Sequence, residues 1–450
     1  MDKTLAQYAE RRVPRYTSYP TAPHFKPQAD DTRHRQWLGA LDTRAPVSLY
    51  LHIPFCREIC WYCACNMKLS RRDGPVLAYA RDLAREIDLV ADALPTTMTV
   101  SEIHWGGGTP TAMPLPALIM LTGQLQDRFD IRPDAEIAFE LDPRTFEFEM
   151  ASGLAELGAT RVSLGVQEFD AEVQQSINRI QPYETVRDAV KWLRDAGIEG
   201  INFDLMYGLP HQTRDKLLSS IDKALSLAPD RIALFGYAHV PWMAKNQRLV
   251  PEQALPDIDA RYEQAEAAAT ALTDAGYIRI GLDHFARPGD KMAEAAKAGT
   301  LRRNFQGYTI DRADTVIGMG ATSISGLPGA YVQNIGETGA YGRVVAEGKL
   351  PTAKAVELTA DDKLRAHVIE RLMCDLTVDL AEVTDSHGAR AHYFGPELAA
   401  CWAFEKEGLV TIEDWTVTVT ERGRTALRVI ASTFDAYMAN QPEGRHARAV

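Results

Sequence analysis

The sequence predicts an α/β protein: an incomplete parallel (βα)6-type, TIM-like barrel over residues 45–345, preceded by an N-terminal arm (1–44) and followed by a small, mostly helical C-terminal domain (346–450). Two observations carry this. One theme, a short β-branched or aromatic run ending in Gly, Pro or a polar residue and then a longer helical pattern, repeats six times between residues 45 and 241. Beyond about residue 350 it gives way to amphipathic helices and one hairpin pattern.

The six runs, all read as strands, are VSLYLHIP (47–54), EIHWGGGTP (102–110), EIAFELDP (136–143), RVSLGVQEF (161–169), GINFDLMYGLP (200–210) and RIALFGYAHVP (231–241). Helical patterns lie between them; in YARDLAREIDLVADAL, Leu83, Ile87, Val90 and Leu94 recur at helical spacing with Arg and Asp on the other face. Strands alternating with helices pair in parallel, and the crossovers are right-handed because a right-twisted strand packs its helix back onto the sheet only that way. Cys56, the glycines at 106 to 108, Glu140, Gln167, Asp204 and Ala238 all fall at C-terminal strand ends, which share one rim in a parallel barrel. A single Gly or Glu after a strand is ordinary turn chemistry, but six such coincidences on one rim point to a site.

After residue 241, RYEQAEAAATALTDAGY is expected to form a helix, and YIRIGLDHFA and DTVIGMGATSISG extended segments, the latter extending the sheet or covering its edge. In the last domain ADDKLRAHVIERLMCDL and GPELAACWAFEKEGL read as helices, LVTIEDWTVTVT as a hairpin and ERGRTALRVIASTFDAYMA as a final helix, a winged-helix-like order. Residues 351–450 hold 11 Lys plus Arg against 16 Asp plus Glu, so a scaffold or lid is expected there rather than a DNA reader.

The whole chain has 49 Lys plus Arg and 61 Asp plus Glu, a formal charge of −12, which argues against nucleic-acid or anionic-membrane partners. An anionic substrate would need a local basic patch. No apolar run is long enough to span a bilayer, and MDKTLAQYAERRVPRYTSYP lacks the apolar stretch of a signal peptide, so the expected location is the cytoplasm. Thiols stay reduced there. Four of the six cysteines, Cys56, Cys60, Cys63 and Cys65, lie within HIPFCREICWYCACN (52–66), a pattern that suits metal binding or catalysis; Cys374 and Cys401 read as small buried apolar residues. Structural zinc takes ligand pairs from separate segments, whereas iron–sulfur clusters accept close-spaced thiolates from one loop. Ligation by Cys65 beside Cys63 would be strained, so Cys65 reads as a non-ligand.

The C-x3-C-x2-C loop after the first strand, with GGGTP at the second, resembles the radical S-adenosylmethionine (SAM) enzymes. Cys65, the arm PRYTSYPTA (14–22) and the motifs GGGTPT, FELDP, GVQEF, NRIQ, FDLMYGLP and YAHVP narrow it: the chain resembles the HemN-type oxygen-independent coproporphyrinogen III oxidases from the arm through the C-terminal domain. That resemblance implies a [4Fe–4S] cluster held by Cys56, Cys60 and Cys63, two SAM molecules, and oxidation of two propionates of coproporphyrinogen III to vinyl groups, giving protoporphyrinogen IX for haem. It places Tyr50, Gly107, Glu140 and Ile324 at the cluster-bound SAM, and Tyr62, Gly108, Thr109, Gln167, Arg179, Asp204 and Ala238 at the second. Cys65 is left a catalytic part. The glycines are expected to let backbone approach the methionyl group.

A one-electron donor such as flavodoxin or ferredoxin, and a monomeric state, complete the expectation. HemN-like haem chaperones share the barrel and three cysteines but lack the fourth cysteine and the YTSYP arm; a radical SAM enzyme with another acceptor is the remaining alternative. Hydrogen abstraction needs no general base, so His52 is expected to pack behind the cysteines. Arg15, Arg302 and Arg303 are expected to meet the four propionates. His211 and Gln212 carry no assigned role.

Overall fold

The computed structural model describes residues 3–438. Strand β1 (Val47–Ile53) is buried at every position except Tyr50, as expected of a strand covered on both faces. It is followed by α1 (Asp73–Ala93), β2 (Thr99–Gly107), α2 (Leu115–Arg128), β3 (Asp130–Leu141), α3 (Phe148–Glu156), β4 (Arg161–Gln167), α4 (Tyr183–Asp195), β5 (Gly200–Tyr207), α5 (Arg214–Ser226) and β6 (Arg231–Gly236). All five pairings from β1 to β6 are parallel, in chain order. The six expected strands are therefore present, with β2 starting three residues and β3 six residues earlier than the sequence pattern indicates.

Helix α6 (Ile258–Asp274) leads to β7 (Ile278–Ile280) and β8 (His284–Ala286), which finish the β6 edge antiparallel. On the other edge β9 (Val316–Met319) lies parallel to β1, and β10 (Ile324–Leu327), β11 (Ala330–Asn334) and β12 (Thr352–Glu357) follow antiparallel, so DTVIGMGATSISG extends the sheet. With Lys26–Pro27 of the arm lying antiparallel to β12, this makes, among the described residues, a thirteen-stranded sheet with two free ends, an open barrel.

Helix α1 buries Val76, Tyr79, Leu83, Ile87 and Val90 against the sheet, and Glu86 on that same face. The Glu86 carboxylate is 1% exposed and accepts from Gly320 N–H (2.6 Å), Asn334 Nδ2 (2.5 Å) and the Tyr341 hydroxyl (2.5 Å), tying α1 to the turn after β9, to the end of β11 and to the helix Thr338–Ala346. Burial pushes its carboxyl up to about 7 despite those donors.

Helices α7 (Ala360–Asp375) and α8 (Gly395–Lys406) and the hairpin of β13 (Val410–Glu413) and β14 (Thr416–Val419) follow the sequence reading. The final helix does not. Residues Arg422–Ala426 form a tight 3-10 turn and only Leu427–Ser432, α9, is α-helical; residue 439 of that expected helix, and 440–450 of the expected domain, lie outside the described residues. Gly423 explains the interruption, because its backbone runs against the Leu409 carbonyl where a Cβ would come within 1.9 Å. The arm is not free-standing either: Leu5, Tyr8, Val13, Tyr16 and Tyr19 share one apolar cluster with Val368, Leu372, Phe404, Ile430 and Phe434.

Replacing Glu86 with Ala strands three buried donors, and urea titration should show a loss of about 3 kcal/mol. The raised carboxyl pKa means the folded chain holds this proton more tightly than the unfolded one. Its contribution is therefore complete below pH ~4.5 and is lost as the pH rises through ~7, so Glu86→Gln should flatten the fall in Tm across that window.

Candidate active site

The loop after β1 carries the four clustered cysteines. Its two ends are stitched together where Phe55–Cys56 pairs with Lys68–Leu69, with Lys68 N–H donating to the Pro54 carbonyl (2.7 Å). Within the loop the backbone has little helix or sheet to satisfy it, and side chains from other strand ends do so instead. Asn246 Nδ2 donates to the carbonyls of Cys60 (3.0 Å), Trp61 (3.2 Å) and Cys63 (2.8 Å). Gln247 Nε2 takes the Tyr62 carbonyl (2.6 Å) together with that of Ala238 (3.1 Å), and Asn178 Nδ2 takes that of Ile59 (2.7 Å). Trp61 and Tyr62 pack on an apolar cluster containing Val173, Ile177, Met206 and Leu209.

Two guanidinium groups face one sulfur. Arg144 Nη2 and Arg179 Nη1 each donate to Cys60 Sγ at 3.2 Å, and both arginines pair with Asp142. Burial works against the Asp142 charge, yet Arg179 and Arg144 bring its carboxyl down to about 2. The Cys63 thiol is lowered to about 7, chiefly by the hydrogen bond from Cys65, whereas burial pushes Cys56 up to about 12. Cys65 is exposed, its amide 3.4 Å from Cys63 Sγ. Among the described residues no group of three or more His, Cys, Asp or Glu side chains is gathered to hold a metal ion. The donor chemistry nevertheless fits a cluster of net negative charge: three thiols on a backbone-pinned loop, with cations set against one of them.

Gly106 to Gly108 meet the protein's own atoms. A Cβ on Gly106 would lie 2.9 Å from Glu140 Oε1, on Gly107 2.8 Å from the His52 ring, and on Gly108 2.7 Å from the Phe55 carbonyl oxygen. Gly107 also has φ +120°, a conformation that side chains resist. Its N–H donates to Glu140 Oε2 (3.1 Å), while His104 Nε2 contacts Oε1 at 3.0 Å. Desolvation opposes the Glu140 charge, but His104 and the Gly107 amide hold the carboxyl below its ordinary value. Tyr50 hydroxyl meets His52 Nδ1 at 2.9 Å, and the rings of Tyr50 and His104 lie 5.8 Å apart. His52 thus bridges the first strand and the cysteine loop, its Nε2 3.4 Å from the Asn66 carbonyl.

Thr109 is buried with its hydroxyl 3.6 Å from Cys56 Sγ. Gln167 ends β4 at φ +66°, at a bulge beside β5, a strained setting of the kind that collects at functional sites. Asp204 is pushed up to about 7, first by burial and then by the charge of Glu140. His104, Glu140, Asn202, Asp204 and His284 line a cavity of about 240 Å³ inside the barrel. Ile324 opens β10 and comes to the rim through the sheet, its carbonyl oxygen 2.6 Å from where a Gly318 Cβ would stand.

Asp142, Arg144, Asn246 and Gln247 were absent from the sequence reading of the site. Asp142 lies in FELDP, where a strand-end carboxylate is a signal; Asn246 and Gln247 sit in a short 3-10 helix, Lys245–Leu249, with no local signature. Gln212 proves structural, bridging Glu168 Oε2 (2.6 Å) and the Met206 carbonyl (2.8 Å). Cys374 and Cys401 are buried. Among the described residues no helix is long and apolar enough to cross a membrane.

Residues 50–224 match the Radical SAM superfamily. The chain is 48% identical over 443 residues, 98% of each chain, to an oxygen-independent coproporphyrinogen III oxidase of Bradyrhizobium diazoefficiens. It is 45% identical over 428 residues, 95% of each chain, to one of Paracoccus denitrificans. Among solved structures it resembles coproporphyrinogen III oxidase (HemN) of Escherichia coli, a radical SAM enzyme, with TM-score 0.90 and 35% identity over 95% of this chain and 100% of that one.

Because thiolate is the reactive form, iodoacetamide at pH 7 should alkylate Cys63 of the metal-free chain well before Cys56, a difference read by peptide mass mapping.

Proposed function

The chain belongs to the oxygen-independent coproporphyrinogen III oxidases within the radical SAM superfamily, and from that membership we propose how its residues divide the work. It is an oxidoreductase of haem biosynthesis that converts coproporphyrinogen III to protoporphyrinogen IX, using an iron–sulfur cluster and SAM. Cys56, Cys60 and Cys63 would hold a [4Fe–4S] cluster that binds SAM, and Cys65 would serve turnover without ligating. When bound, the cluster and SAM would supply the radical that removes a hydrogen from the propionate β-carbon, and a one-electron acceptor would take the electron released with CO2. A donor of the flavodoxin or ferredoxin class feeds the site.

The rest falls to the protein. Tyr50, Gly107, Glu140 and Ile324 form the seat of the cluster-bound SAM, with Glu140 kept ionised by His104 so that it accepts from an ammonium or a ribose hydroxyl. Tyr62, Gly108, Thr109, Gln167, Asp204 and Ala238 form the seat of a second SAM. Arg179, placed in that second group, is turned to Asp142 and Cys60 Sγ, so its first task is charge balance at the thiolates. Asn246 and Gln247 hold the loop still, and the packed Trp61–Tyr62 pair keeps water from it. The arm (1–44), barrel (45–345) and C-terminal part (346–450) divide these roles: the barrel carries the chemistry and the other two close over its mouth.

The observation that carries the assignment is the pinned loop with two guanidinium groups at Cys60 Sγ. Anaerobic assay of the reconstituted chain with coproporphyrinogen III, SAM and a reductant should yield vinyl product and CO2; firm haem retention without turnover would instead mark a chaperone. Cys60→Ser should lose both iron and SAM cleavage, whereas Cys65→Ser should keep iron and lose turnover. Equal iron loss in the two variants would make Cys65 a ligand.

A further inference from the structure

A second cavity, about 390 Å³, opens where the arm, the ends of β5 and β6, helix α6 and the C-terminal residues 424–428 meet. Its lining is unlike the rest of this acidic chain. Among the described residues seven arginines face it against three carboxylates, Glu252, Glu266 and Asp283, an excess of four positive charges in a protein whose net charge is −12.

Arg424 is paired with Glu421 at 2.7 Å, outside the lining, and the remaining excess is held largely by carbonyls and long contacts. Arg303 spends Nε and Nη2 on the carbonyls of Tyr16 (3.2 Å) and Arg15 (3.3 Å) and stacks on Tyr308, while its Nη1 is buried with no partner. Arg279 reaches Glu266 only at 3.7 Å and leaves Nε buried and unpartnered. Arg15 is exposed, with a 3.4 Å contact to the Gly236 carbonyl. Asp283, one of the three carboxylates, is engaged with His284 at 2.8 Å. Burial, then the charge of Arg15, lowers the Arg428 pKa to about 9, and its guanidinium donates to the carbonyls of Val13 and Pro14 (3.0 Å to the latter). Guanidinium groups crowded in this way repel one another until an anion with several carboxylates enters.

Resting on the function proposed above, we infer that this arginine chamber is the docking site for the carboxylates of the tetrapyrrole, those still to be oxidised among them, with Arg15 and Arg303 as its substrate-binding cations. At about 390 Å³ the chamber takes the carboxylate-bearing edge of a macrocycle and leaves its remainder to the barrel mouth, where Phe235, Gly236 and Ala238 border it. Arg302, expected beside Arg303, does not contribute: it is turned away and paired with Glu370 (3.1 Å) and Asp314 (3.2 Å). A consequence for turnover follows. Substrate arrives with four carboxylates and product leaves with two, so the chamber holds substrate more firmly than product, and each decarboxylation loosens the grip.

The test uses the full reconstituted chain under anoxia, titrated by fluorescence with coproporphyrin III, a tetracarboxylate, and protoporphyrin IX, a dicarboxylate. Arg15→Gln and Arg303→Gln should each weaken coproporphyrin III by about tenfold, weaken protoporphyrin IX by less than about threefold, and reduce the salt dependence of coproporphyrin binding. Since Arg303 also holds arm carbonyls, Arg303→Lys should recover part of the affinity, and Arg15→Gln, whose guanidinium holds no arm carbonyl, gives a second reading with unchanged Tm. Equal loss for both porphyrins, or no loss for either, overturns the inference. A wild-type chain that turns over coproporphyrinogen III while the variants bind normally refutes the chamber and leaves the function standing. A chain that binds through these arginines yet forms no vinyl product supports the chamber and refutes the function.

Discussion

Everything at this site depends on a loop whose backbone is satisfied from outside itself. Residues 56–65 contain almost no regular structure, so their carbonyls need donors, and an unpartnered buried carbonyl costs about 1–3 kcal/mol. Asn246, Gln247 and Asn178 provide them from loops that follow other barrel strands. The barrel therefore sets the positions of the thiols largely through hydrogen bonds to main chain. A metal cluster seated by flexible thiols would have no fixed orientation toward the carboxylates across the rim; one seated on a clamped loop does.

Charge is partitioned with the same economy. Inside the barrel, Glu140 and Asp204 face one another closely enough for the charge of one to raise the pKa of the other, and His104 keeps Glu140 as the ionised member. At the cysteines, Arg144 and Arg179 both donate to Cys60 Sγ while Asp142, paired with each, offsets their mutual repulsion. Beyond the mouth the sign reverses, and arginine predominates. An acidic protein thus gathers seven arginines around one cavity, which would attract an anionic substrate there.

The arm and the C-terminal elements make that reversal possible. Arg428 and Arg303 donate to the carbonyls of residues 13 to 16, so the arm is bound by the same guanidinium groups that border the chamber. Tyr16 and Tyr19 add hydrogen bonds to Asp435 and the Ala436 amide. Chain ends more than 400 residues apart in sequence close one cavity, and the final helix is shortened where Gly423 must press against Leu409.

Much of this was legible beforehand. Six strand runs, their parallel order and the gathering of cysteines, glycines and carboxylates on one rim follow from periodicity and from the rule that parallel strands end on a common face, both of which are local properties of the chain. The spacing of Cys56, Cys60 and Cys63 likewise carries its chemistry wherever it is placed. What the tertiary structure alone decided are the partners that meet across long sequence separation: Asn246 at the cysteine carbonyls, Arg144 and Arg179 at Cys60, and Arg15 with Arg303 around the chamber while Arg302 turns away. None of these has a local signature, because a polar side chain in a loop looks alike in sequence whether it meets water or a distant carbonyl, and only the closed fold distinguishes the two.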